Sequence, residues 1–142
     1  MTPSPRLAVD TSVAIPLLVR SHVQHRAVAE WASGRTLTLS GHALAETYSV
    51  LTRLPGDARV SPQDAVTLIE ENFTEPLILS ASAARHAPRE LASSGVAGGA
   101  TYDGLVALAS REHDAVLVTR DSRARSTYQA LDVPVRVLAD EA

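Results

Sequence analysis

Two aspartates close hydrophobic runs along the chain, in positions where carboxylates are uncommon. Asp10 follows Leu7–Val9, and Asp121 ends the run that begins at Ala115. Each run has the length and composition of a buried parallel strand, so each aspartate is expected at a strand end. In open α/β sheets, ligands bind at that edge of the sheet. The pair therefore predicts a functional site there.

Two further acids lie inside apolar segments with helical character, Glu46 in Ala43–Leu51 and Asp103 in Thr101–Ala109. A buried carboxylate without a partner is costly. If all four acids converge, like charges about 4 Å apart repel by roughly 4 kcal/mol per pair at an effective dielectric near 20. Protons or a cation must then compensate, and the economical solution is a hard divalent metal ion bound by the four carboxylates.

The composition limits the classes of protein that fit the chain. With 142 residues, 45% of them hydrophobic and none cysteine, we expect one domain over residues 1–142, in a reducing compartment such as the cytoplasm. No apolar run approaches the length of a membrane span, and Asp10 interrupts the N-terminal apolar stretch, so neither a signal peptide nor an anchor is expected.

All of the basic residues are arginine. The absence of lysine excludes a Walker-type phosphate loop, Schiff-base catalysis and a phospho-acceptor receiver domain, each of which depends on a lysine. The net charge is −3, and the four acids account for more than all of it. An acidic site in a nearly neutral body favours metal-dependent chemistry over simple electrostatic binding of nucleic acid.

Five strands alternate with helical patterns, which predicts an α/β fold with a central, mainly parallel five-stranded sheet between two layers of helices. The predicted strands are Arg6–Val9, Thr36–Leu39, Pro76–Leu79, Ala115–Thr119 and Val133–Leu138. The helices are expected after Thr11, over Gln24–Ser33, from Ser40 or Gly41, after Ser61, over Ala83–Ser93, after Thr101 and over Ser122–Leu131.

Ordinary structural roles compete with the functional interpretation. Turns, caps and short connections account for Asp57, Asp64, Asp114, Asp132 and Asp140. Taken singly, each of the strand-end and helical aspartates is also explained by capping, and Glu46 by an exposed pairing with Arg53. The histidines lack zinc-ligand spacing and are expected in surface or cap roles, while Trp31 and Phe73 are expected in the core.

Four short motifs occur in the order and spacing of PIN-domain ribonucleases, which the chain resembles over nearly its whole length. They are Val9–Ser12, Ala45–Tyr48, Tyr102–Ala109 and Leu117–Asp121. The compact length and the segment Arg123–Leu131 look most like VapC-type toxins of type II toxin–antitoxin pairs. One departure concerns the residues after the last acid. Many relatives carry another acid and an aromatic residue there, where this chain has Ser122, Arg123 and Ala124.

The resemblance implies a three-layer α/β/α PIN-like fold and a Mg²⁺ or Mn²⁺ site at positions matching Asp10, Glu46, Asp103 and Asp121. In that interpretation Asp10 and Asp103 hold the principal ion, Glu46 binds it through water or orients the nucleophile, and Asp121 completes the cluster or helps to bind a second ion. Thr119 and Ser12 match supporting hydroxyl positions.

The implied activity is metal-dependent hydrolysis of RNA by a toxin that forms a homodimer and is inhibited by a cognate VapB-type antitoxin. Arginines after the last strand are candidates for holding RNA phosphates, although a solvated helix face explains them equally well. They are Arg120, Arg123 and Arg125. The alternative function is a catalytically silent PIN-like binding or scaffold module.

Overall fold

A four-stranded parallel sheet forms the centre of the molecule in the computed structural model, which describes residues 5–138. The strands are β1 (Arg6–Val9), β2 (Leu37–Thr38), β3 (Ala115–Thr119) and β4 (Val135–Val137). Their order is β2-β1-β3-β4. Because β1 pairs along its whole length with β3, the residues that follow these two strands emerge side by side at one edge.

The prediction of a fifth strand over Pro76–Leu79 is wrong within the described residues. Leu77 makes only an isolated parallel bridge with Ser40. Its N–H donates to the Leu39 carbonyl at 2.8 Å, and its own carbonyl accepts from the Gly41 N–H at 3.1 Å. The ladder stops there because Ser40 already caps the next helix and Pro76 has no N–H to donate.

Seven α-helices flank the sheet in the described part of the chain and give the predicted three-layer α/β/α arrangement. They are α1 (Thr11–Leu18), α2 (His25–Ala32), α3 (Gly41–Thr52), α4 (Pro62–Asn72), α5 (Ala81–Ser93), α6 (Ala100–Glu112) and α7 (Ser122–Ala130), with a 3₁₀ turn over Gly56–Ala58. None of the helices between residues 5 and 138 is long and apolar enough to cross a membrane.

Two predicted helix starts are wrong in an informative way. Asp10, not Thr11, caps α1, because its side chain accepts from the Ser12 N–H. The cap of α6 is Gly99, and Thr101 lies inside the first turn of that helix. Gly98 has a positive φ of 60°, so the chain turns into α6 before it reaches the residue predicted to cap it.

Serine caps begin α3, α4 and α5, each accepting from the backbone N–H three residues on. For α4 the predicted combination of Ser61 and Pro62 is confirmed. The cap of α5 is Ser80, so that helix starts two residues before the predicted Ala83. Trp31 and Phe73 pack against the hydrophobic core, as predicted.

Candidate active site

All four candidate acids line one small pocket of about 100 Å³ at the edge of the sheet. Asp10 directly follows β1, Asp121 follows β3 after one residue, Glu46 lies on α3, and Asp103 lies in the first turn of α6. The rest of the lining is Thr11, Ser12, Val106 and Ala124. Elements far apart in the chain therefore bring the four carboxylates together.

Asp10 is held more firmly than an exposed carboxylate. Only 6% of the residue is accessible. Its Oδ1 accepts from the Ser12 N–H at 3.1 Å and from the Ser12 hydroxyl, while its Oδ2 accepts from the Tyr128 hydroxyl at 2.8 Å. Burial raises the pKa of Asp10, and the hydrogen bonds, Ser12 first, act in the opposite direction.

The two hydroxyls predicted to support the site connect the strand-end acids. Ser12 Oγ lies 3.2 Å from Thr119 Oγ1 and accepts from the Arg120 N–H at 2.8 Å. Thr119 Oγ1 in turn accepts from the Asp121 N–H at 3.0 Å. Thr119 is fully buried. This chain of hydrogen bonds fixes the backbone after β3 relative to the backbone after β1.

Asp121 caps α7 and also faces the pocket. Its Oδ1 accepts from the Arg123 N–H at 2.9 Å, and the Arg123 side chain lies 3.8 Å away. The capping role considered from sequence is thus real for Asp121, as it is for Asp10. Capping does not compete with pocket lining here, because a carboxylate has a second oxygen for another partner.

The electrostatics of Asp103 reflect the crowding of the acids. Burial raises the pKa of this half-buried carboxyl, and the negative charges of Asp10, Asp121 and Glu46 raise it further. The neighbouring His42 acts in the opposite direction. The pocket therefore favours protons or a cation, as the sequence argument expected.

Glu46 contacts a histidine and not the arginine considered as its partner. His42, one turn earlier on α3, places Nε2 at 3.2 Å from Glu46 Oε2. The same imidazole stacks on the ring of Tyr102, with centroids 5.2 Å apart and an interplanar angle of 15°. The two helices that carry Glu46 and Asp103 thus meet through this ring pair.

Sequence reasoning missed Tyr128 and His42 as parts of the site. The helical spacing of the sequence places each of them on the same helix face as a candidate acid. Asp121, Ala124 and Tyr128 follow the three- and four-residue spacing of one helix face, as do His42 and Glu46. The other histidines bond to backbone atoms, at Gln24, Pro16, Ser82 and Ile78, which fits the predicted surface and cap roles.

The donor set fits a hard divalent cation. Every acid that lines the pocket offers carboxylate oxygens, the ligand type that Mg²⁺ and Mn²⁺ prefer. In the conformation described for residues 5–138, no three histidine or acidic side chains form a complete ligand group for an ion. Mg²⁺ usually keeps several waters and needs only one or two carboxylates directly, so a partial set is compatible with it.

The candidate phosphate-binding arginines lie close to Asp121 in the sequence and have different settings. Arg120 is partly buried, and its Nη1 donates to the Ser12 carbonyl at 3.4 Å. Arg123 and Arg125 are exposed on α7.

Comparison with known proteins identifies close relatives of the whole chain. The PIN domain family matches residues 7–129. Ribonuclease VapC27 from Mycobacterium tuberculosis is 58% identical over 95% of this chain and 98% of its own length. Ribonuclease VapC40 from the same species is 40% identical over 93% of this chain and 98% of its own length.

Solved structures with the same fold are more distant in sequence. The VapBC2 complex of Rickettsia felis, bound to a DNA fragment from its promoter, contains a chain with a TM-score of 0.65 and 16% identity, covering 94% of this chain and 98% of that one. VapC20 of Mycobacterium tuberculosis, a toxin that cleaves the sarcin–ricin loop, has a TM-score of 0.65 and 19% identity, covering 84% and 93%.

Proposed function

Since the chain belongs to the PIN-domain family and, within it, to the VapC ribonucleases, we propose that it is a metal-dependent endoribonuclease that acts as the toxin of a toxin–antitoxin pair. The observation that carries this proposal is the convergence of Asp10, Glu46, Asp103 and Asp121 on one pocket. A purely structural domain has no reason to gather four carboxylates, whose mutual repulsion opposes folding.

The proposed roles of the acids are those that the family resemblance implies. Asp10 and Asp103 would hold a Mg²⁺ or Mn²⁺ ion, Glu46 would bind it through water or orient the attacking water, and Asp121 would complete the cluster or help to bind a second ion. The cation, when bound, supplies stabilisation of the phosphoryl oxygens and a more acidic water. Ser12, Thr119 and Tyr128 keep the strand-end acids in place through the hydrogen bonds described above.

Contacts to the RNA backbone are proposed for the arginines on the α7 side of the pocket. Arg123 and Arg125 are exposed and able to meet a phosphate. Arg120 would contribute from a partly buried position beside Ser12. Such contacts hold the strand without reading its sequence.

The proposed protein partners are a VapB-type antitoxin and a second copy of the chain. The chain itself is proposed to form a single PIN domain over residues 1–142. An apolar groove of about 740 Å³ lies between α3 and α4, lined by residues that include Leu44, Tyr48, Val66 and Phe73. An amphipathic helix binds such a groove through its apolar face. Such an antitoxin would contact α3, the helix that also carries Glu46, and inhibit cleavage.

Cleavage of total cellular RNA by the purified protein tests the proposal. We expect cuts with Mg²⁺ or Mn²⁺ and none with EDTA. Asp10→Asn and Asp103→Asn should each lower the rate by about two orders of magnitude or more, by analogy with the loss of a major electrostatic element. The matched control is Asp64→Asn, which alters an exposed acid in the first turn of α4 and should leave the rate unchanged.

Full activity in either folded site variant would contradict the assigned roles. Absence of cleavage under every metal condition would contradict the ribonuclease proposal and favour the silent binding module.

A further inference from the structure

The ring pair formed by His42 and Tyr102 joins two helices of the site, but the exposed ring of Tyr102 has no role so far. The rings stack with centroids 5.2 Å apart. Yet Tyr102 remains 57% exposed, which places it among the few large hydrophobic residues that the described chain leaves open to solvent. An aromatic ring that packs for stability alone normally buries most of its surface. Tyr102 does not.

The position of the pair beside the acids is the second observation. Tyr102 directly precedes Asp103 in the first turn of α6. His42 contacts Glu46 at 3.2 Å, and it lies close enough to Asp103 to affect that carboxyl electrostatically. The pair therefore stands at the rim of the acidic pocket, between the two helices that supply Glu46 and Asp103.

The stack also fixes the orientation of the Tyr102 ring. With centroids 5.2 Å apart and an interplanar angle of 15°, His42 packs against part of one face of Tyr102 in an offset stack, while more than half of the residue remains exposed. A ring whose orientation is already restricted by a neighbouring ring loses little side-chain conformational freedom when a second flat group stacks on it.

We propose that Tyr102, backed by His42, is a stacking site for a nucleobase of single-stranded RNA adjacent to the phosphate at the four acids. The inference rests on the proposed ribonuclease function and deepens it, because it assigns a base-binding residue beside the four acids. Before a cation binds, the acidic pocket repels the phosphate backbone. Stacking of a base on an aromatic side chain does not depend on the charge of the pocket and accepts any base.

Tyr48 provides a matched comparison. It is exposed to 38% and lies on α3, the helix that carries His42. However, it lines the apolar groove and not the acidic pocket. A general loss of exposed aromatic surface would affect both tyrosines, whereas a base-stacking site involves Tyr102 alone.

Fluorescence titration of short single-stranded RNAs, each with 2-aminopurine at one successive position, tests the inference. The titrations use the Asp10→Asn protein with Mg²⁺, so that binding is measured without cleavage. We expect one position to be quenched on binding. Adding Tyr102→Ala should abolish that quenching and weaken binding about tenfold, the low to middle range for one stacked base. Tyr102→Trp should keep both signals, and Tyr48→Ala should change neither.

An RNA with an abasic residue at the quenched position separates stacking from an indirect effect. The parent and the Tyr102→Ala protein should bind this RNA equally. An equal affinity of both proteins for the intact RNA would overturn the inference, as would a tenfold loss that persists with the abasic RNA. Circular dichroism of each variant identifies any that has not folded, and Tyr102→Trp then decides by whether it retains the quenching.

Cleavage by the otherwise unaltered protein, measured in parallel, keeps this test distinct from the proposed function. Cleavage combined with unchanged RNA binding by Tyr102→Ala overturns only the stacking site. Absence of cleavage overturns the ribonuclease proposal, while quenching still decides whether Tyr102 stacks on a base. If Tyr102→Ala weakens only antitoxin binding, the ring pair belongs to a protein interface and the inference is overturned.

Discussion

The orientation of Asp10 depends on a tyrosine 118 residues further along the chain. Ser12 supplies both donors to Oδ1, and Tyr128 supplies the donor to Oδ2. Burial and the nearby negative charge of Asp10 raise the pKa of Tyr128, so its hydroxyl stays protonated and serves as a donor. These hydrogen bonds thus hold the Asp10 side chain in one orientation.

Tyr128→Phe removes this donor and keeps the ring in the core. The carboxylate loses a charge-assisted hydrogen bond, which is worth about 1.5–3 kcal/mol, so its pKa should rise further. We expect Mn²⁺ binding to weaken and the cleavage rate to fall about tenfold or more, as measured by calorimetric titration and by RNA cleavage. Tyr48→Phe is the control and should behave like the parent. Unaltered Mn²⁺ affinity in Tyr128→Phe would show that Tyr128 does not position Asp10.

The acids were predictable at the level of single residues, but the contacts between distant parts of the chain were not. Asp10 and Asp121 interrupt hydrophobic runs, and a polar residue in such a place is visible in one dimension. Tyr128 bonds to Asp10 across nearly the whole chain, and the stacking of His42 on Tyr102 joins two separate helices. No local pattern encodes contacts of that kind.

Individual elements were predicted best where their signals are local and unambiguous. The bounds of β1 and β3 match the predicted ones, since each is a short apolar run that ends at a polar residue. The predicted start of α1 was wrong because Asp10 and Thr11 both have capping chemistry. The predicted start of α6 was wrong because the chain turns at Gly98 before it reaches Thr101. The extra strand at Pro76–Leu79 was wrong because a β pattern does not reveal where its partner strand turns into a helix.

Close packing between α5 and α6 positions Asp103. A Cβ added to Gly104 would lie 2.4 Å from Leu91 Cδ2 and 3.3 Å from Val96 Cγ1. Since Leu91 is buried, it has little room to move. Gly104→Ala should therefore cost about 1–3 kcal/mol in overpacking, partly offset by about 1 kcal/mol of helix propensity.

We expect a net loss of stability in Gly104→Ala and a lower cleavage rate, because α6 must shift and Asp103 shifts with it. Chemical denaturation measures the first effect and RNA cleavage the second. A second change, Leu91→Ala, removes the clashing methyl groups. It should destabilise the Gly104→Ala protein less than it destabilises the parent. Equal costs in the two backgrounds would show that the two residues do not clash.

Repulsion among the acids of the pocket should lower the stability of the whole metal-free protein. The pKa values of Asp10 and Asp103 are raised above their ordinary value of 3.8. The folded chain therefore holds protons that the unfolded chain has already released. Unfolding releases those protons, so the free energy of unfolding should fall as the pH rises through the window that begins near 3.8.

Asp103→Asn removes one charge from the cluster. Because this carboxyl is only half-buried, solvent screening limits the gain, and we expect the metal-free variant to be more stable at pH 7 by about 0.5–1 kcal/mol. A bound cation should reverse this order of stability. It stabilises the folded parent protein, which keeps all four acids, more than it stabilises the variant.

Thermal unfolding of the parent and Asp103→Asn proteins at pH 7, with and without Mn²⁺, tests the central claim that the four acids form a cation site. The predicted result is a reversal of order. Without metal the variant unfolds at the higher temperature, and with saturating Mn²⁺ the parent does, because only the parent gains substantially from the ion. Equal stabilisation of both proteins by Mn²⁺, or none in the parent, would contradict the claim.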